Sequence, residues 1–93
     1  MKDRPEQVEE LANLFKIFGS TLRIRIMVSL AKGCSSVGDL AQRLGVEQST
    51  LSQQLKTMRY NGLLQTVRKG QHMYYSIADE KALRLLAESF ALY

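Results

Sequence analysis

The sequence predicts a mainly α-helical fold carrying one small β-hairpin, and three observations predict it. Apolar residues recur at three- and four-residue intervals along most of the chain, which is the helical period. Gly19, Gly33, Gly45 and Asn61-Gly62 interrupt that pattern at intervals suited to short helices. After Gly62 the pattern shortens into two extended runs around Lys69-Gly70-Gln71, and helical spacing then returns.

Each element follows from its own residues. Pro5 suits the first turn of a helix, where its missing N–H would be unpaired anyway. Behind it come Val8, Leu11, Phe15 and Phe18, with Leu14 and Ile17 widening the stripe, until Gly19 ends the helix. Ser20 caps a second helix in which Leu22, Ile26, Met27 and Leu30 face inward, Arg23 and Lys32 face out, and Gly33 is the stop. Ser36 followed by Asp39 is a capping-box variant, opening a short third helix through Leu40 and Leu44 that Gly45 closes.

A fourth helix spans 48–61, with Leu51, Leu55 and Met58 on one face and Ser49, Ser52, Gln53, Lys56 and Tyr60 on the other. Residues 63–68 and 72–77 are expected as two strands joined in a tight hairpin. Asp79 caps a fifth helix bearing Leu83, Leu86, Phe90 and Tyr93, with Ala82, Leu85, Ala91 and Leu92 on neighbouring faces. Two apolar faces exceed what a terminal helix needs for its own core. The first and last helices are therefore expected to form a homodimer interface through Val8, Leu11, Phe15, Leu83, Leu86, Phe90 and Tyr93, a frayed apolar tail being the alternative.

Length and composition narrow the function. A chain of 93 residues is expected to be a single domain over 1–93, with a modest core that dimerisation would assist. A polar N-terminus and the lack of any apolar run of about 18 residues point to a soluble, cytoplasmic chain with no membrane partner. The net charge of +4 is unevenly spread. Residues 16–72 hold nine basic side chains against Asp39 and Glu47 alone, while both flanks are mildly acidic. A basic middle suits a polyanion, although a solvated basic face has the same charge.

Short helices, a glycine-broken turn, a polar-faced helix and a basic-tipped hairpin together make a winged helix-turn-helix. Its fourth helix is sized for the major groove of B-DNA. Gln48 and Gln53 suit an adenine edge, Ser49, Thr50 and Ser52 suit bases or phosphates, and Lys56 and Arg59 suit the backbone. Arg68, Lys69, Gln71 and His72 crowd the hairpin tip, where a wing meets DNA; for His72 a solvated turn residue is the alternative.

At this point the sequence resembles the ArsR/SmtB transcriptional repressors, over residues 14–77. The matching pieces are Phe15-Lys16-Ile17-Phe18-Gly19-Ser20-Thr21-Leu22-Arg23-Ile24-Arg25-Ile26, Ser36-Val37-Gly38-Asp39-Leu40 and Gln48-Ser49-Thr50-Leu51-Ser52-Gln53-Gln54-Leu55-Lys56. Gly62-Leu63-Leu64, Arg68-Lys69-Gly70-Gln71 and Tyr74-Tyr75-Ser76-Ile77 complete them. The resemblance implies a homodimeric repressor joined through its first and last helices on an imperfect palindromic operator. It also implies Gln48, Ser49, Ser52 and Gln53 as base readers. Glu47 departs from the family, which usually places a capping Ser there.

The family's metal sites are not matched. Where its thiolate site has Cys-Val-Cys, this chain has Ser36-Val37-Gly38, and no histidine follows Asp79 on the last helix. His72 is the sole histidine and Cys34 the sole cysteine, so neither a metal nor another cofactor is expected. Cys34 is expected as a small packed residue, with oxidation as the alternative and an unknown effector or protein partner left open. An enzyme is not expected, because Cys34 and His72 have no orienting third group and no glycine-rich phosphate loop is present. A winged helix acting through protein contacts is the remaining rival, since fold does not fix function.

Overall fold

The computed structural model describes residues 4–93, so Met1, Lys2 and Asp3, counted above in the acidic flank, lie outside the described residues. The chain runs α1 (Pro5–Ile17), α2 (Thr21–Leu30), β1 (Ser35–Ser36), α3 (Val37–Leu44), α4 (Gln48–Tyr60), β2 (Leu64–Lys69), β3 (His72–Ile77) and α5 (Glu80–Phe90).

Short polar residues start three of the helices as expected. Ser20 accepts from the Arg23 amide at 3.3 Å, Ser36 from that of Asp39 at 3.2 Å, and Asp79 from that of Ala82 at 3.1 Å. Each oxygen satisfies an amide that the first helical turn leaves without a partner. Gly45 takes the left-handed conformation, φ 67°, that ends α3 and turns the chain into α4. No side chain caps α4, because Glu47 makes no such bond.

The hairpin pairs Lys69 with His72, which leaves Gly70 and Gln71 as a two-residue loop. Gly70 has φ 63° and Gln71 a negative φ, the pattern of a turn whose twist matches that of the flanking strands. The wing is not merely two-stranded, as the sequence suggests. Ser35 and Ser36 pair antiparallel with Tyr75 and Tyr74, making a three-stranded sheet of order β1-β3-β2. That extra strand ties the base of the wing to the start of α3.

The core lies where α2, α3, α4 and the sheet meet. Ile26 and Met27 of α2, Leu40 of α3 and Leu51 and Leu55 of α4 are fully buried, with Met58, Leu63, Leu64 and Tyr75 nearly so. Each such aliphatic side chain stabilises the fold by about 1.5–3 kcal/mol relative to an exposed one. α5 adds Ala82 and Leu86. α1 buries no residue; Leu14, Ile17 and Phe18 only half-cover the core from outside. Of the expected interface residues, Leu86 is only 7 % exposed: it packs into the protomer's own core beside Ala82 and also lines the cleft with Phe15, Phe90 and Tyr93.

Candidate nucleic-acid interface

α4 is anchored through Leu51, Leu55 and Met58, and everything opposite that stripe faces solvent. Gln48, Ser49, Thr50, Gln53, Lys56 and Arg59 are exposed, and Ser52 is half-buried. Ser49, Gln53, Lys56 and Tyr60 recur at four-three-four spacing, so they form one outward row. Tyr60, left out of the site in the sequence reading, is 92 % exposed at the end of that row. Its place opposite the core stripe was the signal that could have included it. Gln48 leans back toward α3, its Oε1 lying 3.9 Å from where a Cβ on Gly38 would stand.

The start of α3, the middle of α4 and the wing enclose a groove of about 480 Å³. Ser52, Lys56, Gln71 and His72 line it beside Ser36, so the fold brings four of the eleven expected contact residues together. The remaining ones divide. Gln48, Ser49 and Thr50 sit at the N-terminal end of α4, and Arg59 beyond its middle.

The basic residues of the wing do not form one cluster, as their closeness in sequence suggests. Strand register puts Arg68 opposite Met73, on the face that continues Leu64 and Tyr75 inward. Lys69 and His72 pair on the opposite face, beside Tyr74. There Lys69 Nζ stands 5.6 Å from the Tyr74 ring centre, and the His72 and Tyr74 rings are 6.5 Å apart. The aromatic ring gives the cation a seat without neutralising it.

Three basic residues of the middle stretch are committed to the fold. Arg23 Nε donates to Gln54 Oε1 at 2.9 Å, an Arg25 guanidinium nitrogen to the Leu44 carbonyl at 2.8 Å, and one of Arg43 to Ser29 Oγ at 2.8 Å. Arg23 is half-buried rather than outward-facing, because its hydrogen bond draws it against α4. These bonds span up to 31 residues, which no local pattern announces. Lys56, Arg59, Arg68 and Lys69 are left as the exposed cations of α4 and the wing.

Other candidate sites are less developed. Cys34 is exposed, which overturns its reading as a packed residue; it lies in the polar link between α2 and α3, outside any apolar cluster. Among the described residues no three His, Cys, Asp or Glu side chains gather into a metal-sized group. None of the described helices is long and apolar enough to cross a membrane.

Comparison with known proteins decides what this arrangement is. Residues 20–66 match the family of bacterial regulatory proteins named after arsR. The chain belongs to the ArsR family. A biofilm growth-associated repressor of Xylella fastidiosa is 33 % identical over 92 residues, covering 99 % of this chain and 81 % of that protein. The solved structure of AntR, an antimony-specific transcriptional repressor, superposes with a TM-score of 0.88 at 30 % identity, covering 98 % of this chain and 85 % of that one. HlyU from Vibrio cholerae superposes equally well, TM-score 0.88, at 28 % identity over 97 % of this chain and 98 % of that one. The winged helix-turn-helix is thus that of a DNA-binding transcriptional regulator, and this ArsR-family chain keeps both the polar α4 face and the basic wing.

Proposed function

We propose that this ArsR-family protein represses transcription by binding, as a homodimer, an imperfect palindrome of double-stranded DNA. The outward row of α4, opposite the buried Leu51, Leu55 and Met58, is the observation that carries this reading. In it Gln48, Ser49, Ser52 and Gln53 read base edges, while Thr50, Lys56 and Arg59 hold the backbone. The wing adds Arg68, Lys69, Gln71 and His72. The names of relatives such as the Xylella protein and AntR support repression.

Dimerisation is supported by what is left bare on the opposite side. Val8, Leu11 and Phe15 of α1 are 52, 43 and 56 % exposed, Phe90 is 54 % exposed, and Tyr93 is fully so. Between α1 and α5, Phe15, Phe90 and Tyr93 border an apolar cleft of about 260 Å³. A two-fold pair brought together there would present two α4 helices to successive major grooves, as a palindrome requires.

Fluorescence anisotropy with DNA from upstream of the protein's own gene, against a scrambled duplex, tests the reading. Preference of about a thousandfold at physiological salt is expected. With four free cations on α4 and the wing, affinity should fall with a log–log salt slope of about −3 to −4 per protomer, at roughly 0.9 per phosphate neutralised. Equal and weak binding to both duplexes would favour a protein partner instead.

A further inference from the structure

Among the described residues, the only side-chain hydrogen bonds that join distant parts of the chain all involve α2. Two of them hold α3, through Leu44 and Arg43. The third, from Arg23 to Gln54, is the one that reaches α4. We propose that Arg23 is a positioning residue for DNA reading: acting through Gln54, it sets the rotation of α4 about its own axis and so the aim of Ser49, Ser52 and Gln53. The inference rests on α4 being the DNA-reading helix.

Apart from this bond, the side chains that anchor α4 are those of one apolar stripe. Leu51, Leu55 and Met58 are held by apolar burial, which is non-directional. The N-terminal turn carries no side-chain cap. A helix with its side chains is about 10–12 Å across, so a turn of about 15° moves a side-chain tip by about 1.5 Å. Hydrogen bonds to base edges need donor–acceptor distances within a few tenths of an ångström of 2.9 Å, so such a turn breaks them.

The Arg23–Gln54 bond adds a directional contact to that stripe. Its donor is ionised, planar and half-buried, which makes it stronger and better oriented than a neutral surface contact. Gln54 sits next to Gln53, so one glutamine is tethered inside while its neighbour projects into solvent. Arg23 also lines a polar cleft of about 520 Å³ with Glu10, Asn13 and Lys16 of α1 and Thr57 of α4. The tether therefore stands between the helix left bare for a second copy and the helix that meets DNA.

Anisotropy titrations of the full chain on operator and scrambled DNA, with melting followed by circular dichroism, test this. Arg23→Ala and Gln54→Ala should each lower the operator preference by about tenfold, leaving scrambled-DNA affinity and salt slope unchanged. The double variant should be no worse than either single one, because one bond is lost in all three. Gln54→Glu keeps the acceptor and should hold preference within about twofold of the parent, in a chain of similar melting temperature. A variant that only loosened the fold would lower melting and leave the preference intact. Unchanged preference in both alanine variants, with Gln53→Ala losing it, would overturn the proposal. So would a loss in Arg23→Ala that was equal on both duplexes and flattened the salt slope, since Arg23 would then be a phosphate contact. If Gln53→Ala also kept the preference, the DNA-reading role of α4 would fall, and the tether's role with it.

Discussion

Helices α1 and α4 are both 13 residues long and both amphipathic, yet the protomer treats them differently. α4 buries Leu51, Leu55 and Met58 almost completely against α2, α3 and the sheet. α1 buries nothing fully, and its one ion pair to α5 among the described residues joins exposed Glu10 and Lys81 at 3.8 Å. Such a pair contributes little, because water and salt screen both charges. One helix is finished within the chain and presents polar groups outward; the other presents Val8, Leu11 and Phe15. A polar face opposite a complete core suits a ligand that comes and goes. An apolar face suits a permanent neighbour, and the proposed second copy supplies one.

The sharpest way to break that contrast is to cut into each helix. Leu55→Ala should cost about 2–5 kcal/mol of stability in a denaturant titration, since a fully buried leucine leaves a cavity. Phe15→Glu, on a half-exposed site, should leave the chain's secondary structure intact and instead halve the particle mass in size-exclusion chromatography with light scattering. Next in size is Gln53→Ala, expected to cost about 1–3 kcal/mol on operator DNA and to relax sequence preference. Glu47→Ser should sharpen the picture in the other direction. A serine there can cap α4, stabilising the chain by up to about 1 kcal/mol in thermal melts and tightening DNA binding by removing a carboxylate. Lys69→Ala should have the smallest effect, weakening all DNA alike and reducing the salt slope by about 1.

Much of this was legible in the sequence because it is local. Ser20, Ser36 and Asp79 cap helices within three residues of themselves, and the hairpin announces itself at Gly70-Gln71. The exposed row of α4 follows from helical spacing alone. Strand β1 was not legible, since two serines show no alternation and pair only because Tyr74 and Tyr75 arrive from far along the chain. Arg23, Arg25 and Arg43 read as unattached charges in the sequence, whereas each donates a hydrogen bond to a distant partner, Arg25 and Arg43 while staying exposed. Leu86 shares the spacing of Phe90 and Tyr93 and also packs into the core, because the stripe of α5 is wide enough to serve two faces.

Sedimentation equilibrium of the protein with an operator duplex tests the central claim most directly, because it weighs what the contrast between α1 and α4 implies. Two chains per duplex, and a dimer in the absence of DNA, is the predicted result. A single chain per duplex from a monomeric protein would contradict it, leaving the bare faces of α1 and α5 without their proposed partner.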